Sequence, residues 1–176
     1  MNKIKEFFSD IKNTNNKEGY TIDEVCLDSI KKINKIKQEI ETVGELSPAD
    51  YAKFFIEIDD KLKDVKSKIF HKCCRVEGMK ESKNALCLYR DFLVEYNKVL
   101  YVYNISIKEK MRGDIGEITD EIIAIKKQLL PINNSNVELH SKHHLHNKEY
   151  NTKIENLEEK RINLLKNDQI KKDNKK

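Results

Sequence analysis

The densest concentration of chemically capable side chains in this chain is a run of imidazoles. His140, His143, His144 and His146 lie within Leu139-His-Ser-Lys-His-His-Leu-His. Neutral imidazoles three or four residues apart on a helix project together and can share one Zn²⁺. His140 meets that spacing with either His143 or His144. A closed structural zinc site takes four ligands, and neither a Cys-x-x-Cys pair nor a His-Glu-x-x-His pattern accompanies the run. His71, Cys73 and Cys74 could complete it only if the fold brought them close. Zinc is therefore the one cofactor the sequence nominates. The competing reading is a polar helix start or loop that happens to be rich in histidine and titrates between about pH 5 and 7.

The second candidate is His71-Lys-Cys73-Cys74-Arg75. Cationic neighbours lower a thiol pKa and raise its reactivity. Cys73, however, falls on an apolar stripe between Ile69 and Val76, as a small core residue would, and Cys26 sits on a similar stripe. Only Cys74 is placed to react. A Cys–His enzyme also needs an orienting group and an oxyanion hole, usually built from loops, and this chain has few. It lacks a glycine-rich phosphate loop, a Glu-x-x-His pair for a di-iron bundle and a Gly-x-Ser-x-Gly elbow. No catalytic residue is assigned, and the chain reads as a non-enzyme.

Whatever these residues do, helices must position them. The 176 residues include 5 Gly, 2 Pro and no Trp, too few turn formers for a β-sandwich or an α/β enzyme. Hydrophobic residues make up 38%, and the net charge of +4 is too small for a disordered polyelectrolyte. Two basic runs could face phosphates: Lys31, Lys32, Lys35 and Lys37, then Lys61, Lys63, Lys66, Lys68, Lys72 and Arg75. The second is interleaved with Asp59, Asp60, Asp64 and Glu77, the pattern of a solvated face carrying i,i+4 pairs. Nucleic acid is thus a disfavoured partner. No apolar run approaches the roughly 18 residues of a membrane span, and Met-Asn-Lys-Ile-Lys-Glu-Phe-Phe lacks the apolar core of a secretory signal. The four cysteines show no disulfide framework, so the expected location is cytoplasmic, with signal-less export into a host cell also compatible.

Hydrophobic periodicity sets out the elements. Ser47-Pro48 provides an N-cap and a first-turn proline for a helix carrying Tyr51, Phe55, Ile58, Leu62, Val65, Ile69, Cys73 and Val76 on one stripe, with Gly78 as a natural end. A helix from about Glu81 to Arg112 has two rows, Ala85-Tyr89-Phe92-Tyr96-Val99-Tyr103 and Leu86-Leu93-Leu100-Ile107. So wide an apolar face predicts the most buried helix of the bundle. Its polar strip is Arg90, Asp91, Glu95, Lys98, Asn104 and Lys108. Upstream, the capping box Thr21-Ile-Asp-Glu24 opens a helix striped by Ile22, Cys26, Ile30, Ile33, Ile36, Ile40 and Val43, running to Gly44. Downstream, Ile115, Ile118, Ile122, Ile125 and Leu129 mark a shorter helix between Gly113 and Pro131. A last helix opens near Asn136 and carries Tyr150, Ile154, Leu157 and Leu164, with Ile162 and Leu165 beside them. That stripe could also pair with a second copy, although its heptad pattern is brief.

At the start, Ile4, Phe7, Phe8 and Ile11 share one face of an amphipathic segment, with Lys3, Lys5 and Lys12 around it. Such a segment can fill a partner's groove, lie on a membrane surface or dock across its own bundle. The expectation is all-α: an elongated antiparallel bundle of four to six helices in a single domain. Residues 1–19 form the N-terminal helix and linker, 20–168 the bundle and 169–176 a frayed basic tail. The expected function is a non-enzymatic protein–protein interaction module of the adaptor, inhibitor or effector kind. Its partner would be another protein, with homo-oligomerisation as a further option. The alternatives are a metal-binding bundle using His140–His146 and a nucleic-acid-associated protein.

Overall fold

A computed structural model describes residues 22–73, 83–129 and 137–173. Among these residues the chain is all-α, with five helices and no strand: α1 (Ile22–Thr42), α2 (Pro48–Cys73), α3 (Lys83–Lys110), α4 (Asp114–Lys126) and α5 (Val137–Asp173). They close into a ring in the order α1, α2, α5, α4, α3 and back to α1, with α2 and α3 also touching across the middle.

Each boundary has a local cause. The Ser47 side chain accepts the Asp50 backbone N–H at 3.3 Å and donates to the Asp50 carboxylate at 2.5 Å, so α2 begins at Pro48 as its sequence dictates. Tyr51 donates its hydroxyl to the Gly44 carbonyl at 2.9 Å and ties the 43–47 turn to the first turn of α2. Between α3 and α4 the chain reverses at Gly113, whose φ of 69° lies in the left-handed region that a Cβ disfavours. α5 continues to Asp173, at 1.5 Å per residue a rod of about 55 Å.

The stripes turn inward as their spacing predicts. Cys26, Ile33, Ile36 and Ile40 of α1 meet Tyr51, Phe55, Ile58, Leu62, Val65 and Ile69 of α2, Phe92, Tyr96, Val99, Tyr103 and Ile107 of α3, and Ile162 and Leu165 of α5. A second cluster joins Ile118, Ile122 and Ile125 of α4 to Ile154 of α5, with Leu129, Tyr150 and Leu157 against it. The Tyr150–Leu165 stripe is thus used within the chain.

Three expectations change. Among described side chains α2, not α3, contributes the most core residues, because part of the second α3 row faces out: Leu93 is 38% exposed. The cause is the length of α4, whose 13 residues cover only the C-terminal half of the 28-residue α3. Asn104, expected on the polar strip, is buried, because α4 and α5 close over that side of α3. Asp59, expected on a solvated face, is 8% exposed and paired with Lys63 at 2.6 Å.

Replacement of the fully buried Ile58 by Ala is expected to cost about 2–5 kcal/mol, whereas Tyr101→Ala on the exposed side of α3 stays within about 0.5 kcal/mol. Urea denaturation of the two variants reads the contrast directly.

Candidate functional site

The four histidines lie on the first turns of α5, so His140 stands at i,i+3 and i,i+4 to His143 and His144 along one helix. The side chains of His140, His143, His144 and His146 fall outside the described residues. So do the side chains of His71 and Cys73 at the end of α2, all of Cys74, and the segment with Ile4, Phe7, Phe8 and Ile11. Among the described residues no group of three or more His, Cys, Asp or Glu side chains is disposed to hold a metal ion. In the basic runs, Lys32, Lys37, Lys61, Lys63 and Lys68 each pair with a carboxylate, of Asp28, Glu41, Glu39, Asp59 and Asp64 respectively.

The most unusual constellation is one that sequence reasoning missed. Arg161 of α5 is 1% exposed, at the junction of four helices. Its Nη1 donates to Asn104 Oδ1 of α3 at 2.7 Å and to Thr119 Oγ1 of α4 at 3.3 Å. Thr119 Oγ1 in turn donates to the Ile115 carbonyl at 2.7 Å. The guanidinium lies 5.3 Å from the centre of the Tyr103 ring, within cation–π range. Tyr103 then donates its hydroxyl to the Phe55 carbonyl of α2 at 3.1 Å. Among the described residues Arg161 Nε has no hydrogen-bond acceptor, and no carboxylate pairs with the guanidinium. Its charge is thus held by a neutral amide, a hydroxyl and a π face. Sealed from water, this cluster fixes the register of α2, α3, α4 and α5; it does not present a group to a substrate.

A signal for it exists in the sequence. The stripe Tyr150, Ile154, Leu157 and Leu164 steps by four, three and then seven, and Arg161 fills the skipped position. Asn104 and Thr119 likewise interrupt apolar rows, between Leu100 and Ile107 and between Ile115 and Ile122.

Titration follows the same burial. Burial pushes the Tyr103 hydroxyl well above the ordinary tyrosine value against the opposing field of Arg161, with Asp59, Glu158 and Asp60 adding to the rise. Tyr96 rises for the same first reason, reinforced by Glu158 and Asp59. For Lys63, desolvation acts downward, but the hydrogen bond and field of Asp59, with Asp60 and Glu158, hold the ammonium above the usual lysine value.

The surface offers a different kind of site. Leu93, Val94 and Tyr101 of α3 are 38%, 48% and 59% exposed. At 100° per residue they fall within an arc of about 100° and span about 12 Å along the helix. This is an apolar ledge just past the end of α4, where a partner could bury an aromatic ring and two aliphatic side chains. Tyr101 was expected to pack inward with Tyr96 and Tyr103, and its exposure corrects that expectation.

Asn104→Leu removes an acceptor from a buried charge and is expected to cost about 2–3 kcal/mol. Arg161→Met in the same chain should restore much of that loss, because a buried charge is costly without its partners. Denaturation of both single variants and the double variant measures the coupling; simple additivity would refute it. Because their folded pKa values are raised, Tyr96 and Tyr103 stabilise the fold fully below about pH 10, the unfolded value, and that contribution is lost as pH climbs above it. Phenolate absorbance should therefore show these two ionising only with alkaline unfolding, and reversible titration of all seven tyrosines in the folded chain would contradict this. No family model matches the chain, and no curated protein or solved structure shows significant similarity to it.

Proposed function

We propose that this protein is a protein–protein interaction module, a small adaptor-, inhibitor- or effector-type helical bundle working in the cytoplasm, that receives its partner on the exposed apolar ledge of α3. The observation that carries this reading is the grouping of Leu93, Val94 and Tyr101, each more than a third exposed, within nine residues of one helix. Isolated exposed apolar residues are ordinary on protein surfaces, whereas a contiguous group including an aromatic is the composition of an interface core. Rigidity supports the reading too. The ledge stands on a helix whose opposite side is anchored by Phe92, Tyr96, Val99 and Tyr103, so little ordering entropy is lost on docking. Among the described residues no helix is long and apolar enough to cross a membrane.

Crosslinking in the native organism should capture a partner on the wild-type chain. A Val94→Asp, Tyr101→Asp variant should lose it by roughly tenfold or more, since each carboxylate would have to be desolvated in the contact. Both positions are exposed, so the circular dichroism of the variant should match wild type. Full retention of the partner by this variant, or recovery of no stable partner by the wild-type chain, would overturn the proposal.

A further inference from the structure

The first 21 residues lie outside the described chain, and they carry an apolar face with no assigned place: Ile4, Phe7, Phe8 and Ile11. The fold indicates where that face can reach. Lys110 of α3 lies over the Tyr51 ring at 5.7 Å, and Tyr103 bonds to Phe55, so α3 runs antiparallel to α2. The Tyr51 hydroxyl bond to Gly44 places the C-terminal end of α1 at that same end of the bundle. α1 and α3 are neighbours and therefore run parallel, with their first turns side by side.

The levels agree closely. Ile22 is 20 residues back from Thr42, or about 30 Å, and Leu93 is 17 residues back from Lys110, or about 26 Å. The chain thus enters α1 within about one helical turn of the level of the ledge. Ten residues, 12–21, separate Ile11 from Ile22 and can extend over about 33–36 Å, several times the roughly 10 Å width of the helix to be crossed. The lengths match as well. Ile4 to Ile11 covers two helical turns, about 10 Å, against about 12 Å from Leu93 to Tyr101. Leu27, in the second turn of α1, adds a 48% exposed apolar side chain on the helix beside α3.

We propose that the N-terminal segment seats Ile4, Phe7, Phe8 and Ile11 on the α3 ledge of its own chain, as an internal cover over the face that receives the partner. The inference rests on the reading of that ledge as a docking surface and assigns its resting occupant. Tethering favours this occupant over a second copy, because a ten-residue connection holds the segment at millimolar effective concentration.

The test is photocrosslinking of the full chain with benzoylphenylalanine placed at Phe7 and, in a separate protein, at Phe8. The expected product has the mass of one chain, and its crosslinks map to residues 91–101. Val94→Asp with Tyr101→Asp should reduce its yield by roughly tenfold or more, again because carboxylates resist burial in an apolar contact. Crosslinks mapping elsewhere on the chain, a product with the mass of two chains, or a yield indifferent to the aspartates would each overturn the proposal. Partner capture reads the interaction proposal separately. A missing partner leaves the intramolecular map standing, and a negative map leaves partner docking on α3 standing.

Discussion

A guanidinium cannot give up its proton, so when Arg161 is folded into the junction of α2, α3, α4 and α5 its charge has to be met there. It is met by Asn104, by Thr119 and by the face of Tyr103, whose hydroxyl passes the link on to the α2 backbone. Hydrophobic side chains around this point tolerate small slides along the helix axes, because apolar contact is not directional. Bonds of 2.7 Å do not. The polar cluster therefore specifies one register among many that the isoleucines alone would accept, while its cost in desolvation is offset by the two apolar clusters on either side of it.

The shape of the surface follows from the same arrangement. α4 is short, and its Thr119 is held over Asn104 by the shared guanidinium. Lys108–Asp120 and Lys126–Glu158 border the same helix, with Lys153–Glu121 between α4 and α5. These surface pairs are worth little individually. With α4 fixed at the C-terminal half of α3, the other half of that helix keeps Leu93, Val94 and Tyr101 exposed. The interior constraint thus decides where the molecule offers an apolar face to others.

The exposed face and the amphipathic N-terminal segment are complementary in length and character. A bundle that anchors one side of α3 deeply and leaves the other greasy needs an occupant for it, supplied in cis, in trans or by each in turn. Such exchange between an internal cover and an external partner requires no moving parts in the bundle, only competition for one set of side chains.

The sequence by itself determined the all-α class, the order of the helices and nearly every core residue of α1, α2 and α4, because steps of three and four on a helix must point the same way. It also determined the start of α2 at Ser47-Pro48 and the reversal at Gly113, both set by local backbone chemistry. Only tertiary structure decided the fate of residues whose neighbours come from other helices. Asn104 and Asp59 looked like surface groups and are buried; Leu93 and Tyr101 looked like core and are exposed; Arg161 interrupts its stripe and became the hub. Periodicity states which side chains share a face. What covers that face depends on where α4 ends and which helix lies across it, and that is settled by contacts between residues far apart in the chain.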